Sequence, residues 1–182
     1  MMQGVVLLIG TLVITLVSHQ SLRQPATHGY YRFFAWEFIL LLYVLNMPVW
    51  DKDIDSIHQQ IAGVLFLLSL FMFIFGILQL RLFGKPDTSR DDVPMVFFEK
   101  TTVLVTSGIY RYIRHPLYGS LFFLCWGFFF KDPHMLGGGV AVGASICLML
   151  AACAEETECI RFFGKQYSDY MLHSKRIIPF IW

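Results

Sequence analysis

Two short stretches hold most of the reactive side chains of this chain. Residues 108–119 read GIYRYIRHPLYG and residues 154–167 read AEETECIRFFGKQY. The first sets Tyr110, Arg111, Tyr112, Arg114, His115 and Tyr118 directly against the apolar run SLFFLCWGFFF. The second sets Glu155, Glu156 and Glu158 against the end of another apolar run. Ionised groups at the edge of a hydrophobic segment are costly and tend to be functional. Carboxylates at the end of a helix also face the negative pole of its dipole. A cationic ligand would offset both penalties, and ion pairing to Arg114, Arg111 or Arg161 is the structural alternative. For the first stretch the alternative is an interfacial anchor, because Arg snorkels and Tyr favours the headgroup layer. The glycines that bracket it, Gly108 and Gly119, are more specific than an aromatic belt needs.

The elements that must position these groups are membrane helices. Hydrophobic residues make up 56% of the 182 residues and charged residues only 15%, and mean hydropathy is +0.59. Five apolar segments stand out, at about Val5–Val17, Phe33–Val49, Ile61–Leu82, Leu117–Phe130 and Leu136–Cys153. A bilayer core of about 30 Å needs about 20 helical residues. The third segment meets that alone; the fourth is the shortest for the task, because Lys131 and Asp132 close it early. No period-2 pattern suggests strands, so the spanning form is helical. The expectation is an all-α polytopic membrane protein with about five transmembrane helices, the first of them retained and not a removed signal peptide. Pro116 fits the first turn of the fourth helix, where its missing N–H costs nothing, with His115 on the N-cap side. Gly119 would then permit close approach early in that helix.

Charge sets the orientation. Twelve of the 14 Lys and Arg fall in the first loop, the third loop and the C-terminal tail, Arg90 among them, and only Lys52 and Lys131 fall between. That bias puts the third loop, the tail and the C-terminus in the cytoplasm. Glu37 falls in the second segment, where it could sit near the inner interface and pair with Arg32 or Arg23. A net charge of +1 offers nothing to nucleic acid. Cys125, Cys147, Cys153 and Cys159 form no CxxC pair and read as small buried hydrophobes. Asp51, Asp53 and Asp55 alternate, but no Gly and closing Glu make a calcium loop of them; no metal is expected. Gly139 and Gly143 form a GxxxG face that suits either tight internal packing or a homo-oligomer.

Residues 102–180 resemble a family. TVLVTSGIYRYIRHPLYG, followed by EETECIRFFGKQYSDYMLHSKRIIPF, is similar to the membrane methyltransferases of the isoprenylcysteine carboxyl methyltransferase and phospholipid methyltransferase group. The order G-x-Y, R-H-P-x-Y, E-E, F-G-x-x-Y-x-x-Y and a late Ile-Pro-Phe carries the likeness. R-H-P-x-Y alone would be weak, since membrane sterol reductases carry a similar piece. The resemblance implies one domain over 1–182, with N-terminal spans over 1–100 and a catalytic region over 101–182. It implies an S-adenosyl-L-methionine site at the cytoplasmic face, with S-adenosylhomocysteine as product. Thr102, Val103, Leu104 and Val105 would hold the cofactor largely through backbone, with Gly108 and Tyr110 beside them. His115, Pro116, Leu117 and Tyr118 would form another wall, and Glu155 or Glu156 would face the amino-acid part. Catalysis would fall to Arg114, His115 and Tyr118. Methyl transfer asks for alignment and exclusion of water and uses no metal.

The acceptor implied is a lipophilic or prenylated molecule or a membrane lipid. The prenylcysteine branch places an arginine about a turn and a half before the glutamates, where it meets the substrate carboxylate. Here that region reads LMLAACAEE. A carboxyl O-methyltransferase therefore competes with a phospholipid amine N-methyltransferase, and, further off, with an NAD(P)H-dependent membrane reductase or a non-enzymatic scaffold or transporter.

Overall fold

The computed structural model describes residues 2–87, 95 and 99–177. Six α-helices follow one another: α1 Met2–Leu22, α2 His28–Asn46, α3 Ile57–Phe83, α4 Pro116–Lys131, α5 Met135–Phe163 and α6 Lys165–Met171. Short 3-10 turns at Met47–Val49 and Gly108–Arg111 complete the order. Among the described residues, the only extended pairings are the isolated bridges Pro86–Thr101 and Ile113–Lys175. The all-α expectation is met.

Among the described residues, four stretches are long and apolar enough to cross a bilayer: Met2–Leu22, His28–Val49, Ile57–Phe83 and Met135–Phe163. The protein is a multi-pass membrane protein. The fourth apolar segment, α4, has 16 residues, about 24 Å of helix, and so falls short by length. It nevertheless runs antiparallel to α3 over the same depth. At one end Leu117 and Pro116 pack on Gly76 of α3. At the other, His58 contacts the Phe130 carbonyl at 3.1 Å and Gln59 donates to the Lys131 carbonyl at 3.1 Å.

The helices outrun the apolar segments at their polar ends. The fifth segment loses its apolar character at Cys153, yet α5 continues to Phe163. It stops at Gly164, whose φ of 61° is open to glycine at little cost and lets α6 begin at once. Glu155, Glu156 and Glu158 thus lie within the helix and not at its terminus. Backbone hydrogen bonding does not end where the hydrocarbon does, so hydropathy marks the membrane boundary and not the helix boundary. By the same effect α2 starts at His28, ahead of the apolar run that begins at Phe33.

The core lies where α5 meets α2 and α4. Ala141, Ala144, Leu148, Ala151 and Ala152 of α5 are fully buried, as are Ala35 and Leu42 of α2. Small side chains let helix backbones approach closely in lipid, where packing and not hydrophobicity holds helices together. Of the GxxxG pair, Gly143 sits against the Phe38 ring of α2, while Gly139 has open space beside it. Leu8, Leu12 and Leu16 of α1 and Leu67 and Phe71 of α3 are exposed, the lipid-facing pattern of a spanning helix. Among the described residues Glu37 pairs with neither Arg32 nor Arg23: its Oε2 accepts from Thr11 of α1 at 2.8 Å. Arg32 turns elsewhere, as described below.

Candidate functional site

The ends of α1, α3 and α5 and the starts of α2 and α4 meet on one side of the bundle, and the polar residues gather there. The segment after α3 is tied down first. Gly84 accepts from the N–H groups of Thr102 (3.0 Å) and Val103 (3.1 Å), and the Thr102 hydroxyl donates to the Lys85 carbonyl at 2.9 Å. Thr102 and Val103 are spent on this anchor and face outward. Leu104 and Val105, next along, reach a cavity that opens to solvent.

The R-H-P stretch is fixed by the tail. The N–H groups of Arg114 and His115 donate to Lys175 (2.8 Å) and Arg176 (3.0 Å), and Lys175 returns a bond to Tyr112 at 2.9 Å. These pairings satisfy backbone groups that the approach to α4 would otherwise bury unpaired. His115 is the N-cap residue of α4 and Pro116 its first residue, as the sequence predicts. Gly119 lies where a Cβ would strike Met72 of α3 and would come within 3.3 Å of the Ile177 carbonyl. The close approach expected there is therefore to protein. The late Ile-Pro-Phe and Arg90 lie outside the described residues.

Gly108 opens the 3-10 turn that carries Tyr110. Its φ is 57°, and a Cβ there would overlap the Gln79 side-chain amide. Gly108→Ala is expected to cost about 1–2 kcal/mol through the left-handed backbone alone. It should lower the thermal midpoint in detergent and weaken ligand binding, because Tyr110 lines the cavity. An unchanged midpoint would show that the turn relaxes freely.

The three glutamates divide by helical phase. Glu156 is buried and accepts from Arg114 Nε at 2.9 Å and from Arg176 Nε and Nη2 at 3.1 and 2.7 Å. His115 Nε2 is 3.5 Å from the same carboxylate. Arg114 also donates to the carbonyls of Met171 and Ser174. The hydrogen bonds to Glu156 hold the Arg176 guanidinium above its ordinary range. Glu158 turns to α2, accepting from the His28 N–H at 3.0 Å and contacting His28 Nδ1 at 2.5 Å. Glu155 faces the cavity, its Oε2 3.9 Å from His115 Nδ1.

Opposite, the wall is aromatic. Tyr110, Phe163, Tyr167 and Tyr170 line the space, with Phe163 and Tyr167 stacked at 6.5 Å between centroids and 18° between planes. The Tyr170 hydroxyl donates to the Tyr110 carbonyl. Burial pushes the phenols of Tyr110, Tyr167 and Tyr170 above their usual range, so they are neutral donors at physiological pH. Tyr118 completes the wall from α4, its ring 5.5 Å from that of His115. The Tyr118 hydroxyl is buried beside Glu155, and no hydrogen bond of good geometry satisfies it among the described residues.

The structure thus brings Leu104, Val105, Tyr110, Arg114, His115, Pro116, Leu117, Tyr118 and Glu155 around one cavity. Thr102, Val103, Gly108 and Glu156 stand behind it. Phe163, Tyr167 and Tyr170 carried the F-G-x-x-Y-x-x-Y part of the family likeness but were not expected at the site; the break at Gly164 between α5 and α6 turns all three onto the cavity. Sequence reasoning passed over Glu99, a lone acid in FFEKTT with no pattern around it. The cavity suits a compact ligand with cationic groups and a flat ring. Carboxylates and aromatic faces line it, and the buried Tyr118 hydroxyl lies beside Glu155.

Residues 57–169 match the model of a family described as phospholipid methyltransferase. Two curated proteins are similar. The methanethiol S-methyltransferase of Crocosphaera subtropica is 27% identical over 150 residues, 75% of this chain and 53% of that protein. Methanethiol S-methyltransferase 1 of Bradyrhizobium diazoefficiens is 25% identical over 169 residues, 88% of this chain and 57% of that protein. The chain spans just over half the length of these relatives. No solved structure matches it significantly.

Proposed function

The chain belongs to the phospholipid methyltransferase family, and on that premise we propose that it transfers a methyl group from S-adenosylmethionine to a small or lipophilic thiol at the membrane. The observation that supports this most is the cavity with Glu155 and the rings of Tyr110, Tyr118, Phe163, Tyr167 and Tyr170 on its wall. When bound, the donor supplies an electrophilic methyl group on a sulfonium. Glu155 would take its α-ammonium through a charge-assisted hydrogen bond. The aromatic faces of Tyr110 and Tyr118 suit the sulfonium, and the stacked Phe163 and Tyr167 suit the adenine. The Tyr118 hydroxyl is a donor held ready for the ligand, and His115 orients it through ring contact. Alignment-limited transfer requires water to be excluded once both ligands are seated. Donor binding on this reading falls mainly within 101–182. The basic bias of the adjoining loops puts the site on the cytoplasmic side.

The choice of a thiol rests on the arginines. A carboxylate acceptor, as in the prenylcysteine branch, needs an unspent cation. Arg114 and Arg176 are committed to Glu156 and Arg32 to Glu99. A thiol needs none: its sulfur takes the methyl group and sheds its proton to water while the donor leaves as a neutral thioether, and both curated relatives are named for methanethiol. A pyrophosphate-bearing nicotinamide cofactor would meet carboxylates where it needs cations, which argues against a reductase.

Calorimetry on the detergent-solubilised protein tests the donor. S-adenosylhomocysteine should bind with micromolar affinity and NADPH should not; the reverse result ends this reading. Labelled-methyl transfer to methanethiol, longer alkanethiols, prenylcysteines and phosphatidylethanolamine vesicles then tests the acceptor. Label in the thiol ethers supports the proposal, and label confined to the prenylcysteine ester or the lipid amine refutes it.

A further inference from the structure

Glu99 lies outside every motif, yet it lines the cavity. A buried network puts it there. Its Oε1 accepts from Arg32 Nη1 at 2.5 Å, and its Oε2 is 3.9 Å from His28 Nε2. His28 is in turn held by Glu158 through both its backbone N–H and its ring. Arg32 lies over the Trp36 ring, 4.9 Å from its centroid. His28 and Arg32 are one helical turn apart on α2 and nearly inaccessible, at 1% and 5% exposure. The start of α2, the polar end of α5 and the segment before Thr101 are therefore locked together, and the lock ends in a carboxylate on the cavity wall.

Tethering a loop does not by itself call for this arrangement. Burying charged groups is costly even when they are paired, and an ion pair at the exposed surface would hold the segment at less expense. The buried Tyr118 hydroxyl has Glu155 as its hydrogen-bonding neighbour and lies within electrostatic reach of Glu99 and Arg32. Two carboxylates and a hydroxyl thus converge on one space, where Glu99 is held by Arg32 and Arg114 shares Glu156 with Arg176.

Resting on the proposed donor, we propose that Glu99 selects the charged donor over the spent product. S-adenosylmethionine carries one positive charge more than S-adenosylhomocysteine, and that charge is on the sulfur. Glu155 would face the α-ammonium, which donor and product share. Glu99, fixed by Arg32 and His28, would face the charge that disappears on transfer. A carboxylate near a sulfonium in a partly desolvated site favours the cation by about an order of magnitude. Glu99 would thereby bind the donor and let the neutral product go.

The test is calorimetric titration of wild type and Glu99→Gln with each ligand in detergent. In E99Q, affinity for S-adenosylmethionine should fall about tenfold and affinity for S-adenosylhomocysteine less than twofold. Equal loss for both ligands, or no loss for either, overturns the assignment. Because E99Q leaves Arg32 buried without its partner, the Arg32→Gln/Glu99→Gln double variant is read in parallel and should show the same loss of discrimination. Failure of both variants to fold makes Glu99 a structural residue and also overturns it. Wild type that binds neither ligand refutes the donor itself, a result distinct from all of these.

Discussion

Replacing Glu156 with glutamine is expected to destabilise the protein more than any other single change at the site, by about 3 kcal/mol or more. Its carboxylate takes three hydrogen bonds from two arginines. The Glu156 and Arg114 side chains are 5% and 8% exposed. Glutamine keeps the shape but leaves a buried guanidinium without a counter-charge, and removing one partner of such a pair exposes the full desolvation penalty of the other. Arg176 is 21% exposed, so water offsets part of its loss. The consequence spreads because Arg114 and Arg176 also carry the backbone pairing between the tail and the start of α4. E156Q should therefore lower the thermal midpoint in detergent sharply and open the tail to protease. A Glu156→Met/Arg114→Met double variant removes both charges and should recover part of the loss. A midpoint for E156Q within a degree or two of wild type would show that the triad does not hold the tail.

This assignment depends on information that the linear sequence does not contain. Glu155, Glu156 and Glu158 read as one acidic cluster beside an apolar run, and that much was legible, as was the matching R-H-P stretch. Successive residues on a helix turn about 100°, so the three carboxylates leave α5 in different directions. Which one meets an arginine, which meets α2 and which meets the cavity depends on the rotation of α5 against its neighbours. Small residues set that rotation through packing, with Ala151 and Ala152 seated in the core, and no local pattern announces it. The spans were legible for a different reason: in lipid, apolar length and helix nearly coincide. They diverge only where α2 and α5 leave the bilayer, and the site is built there. Pro116 was readable because its ring dictates the first turn of a helix wherever it stands. Glu99 was not, because its place comes from His28 and Arg32, 71 and 67 positions away.

Glu155→Gln should give the opposite result to E156Q, with the fold kept and the ligand lost. The Glu155 side chain is 28% exposed and its nearest ring partner, His115 Nδ1, stands at 3.9 Å, beyond hydrogen-bond distance. Little stability rests on a carboxylate so placed, and the thermal midpoint should stay near that of wild type. A charge-assisted hydrogen bond to an ammonium is worth about 1.5–3 kcal/mol, which is a loss of about ten- to a hundredfold in affinity. Because the α-ammonium is present before and after transfer, S-adenosylmethionine and S-adenosylhomocysteine should weaken together in E155Q. In E99Q they should separate. Glu155→Asp keeps the charge on a shorter arm and should regain only part of the affinity. If E155Q binds both ligands as wild type does, the amino-acid end of the donor is not at Glu155. If E155Q weakens S-adenosylmethionine alone, the two carboxylates have exchanged roles, and the sulfonium lies on the α5 side of the cavity.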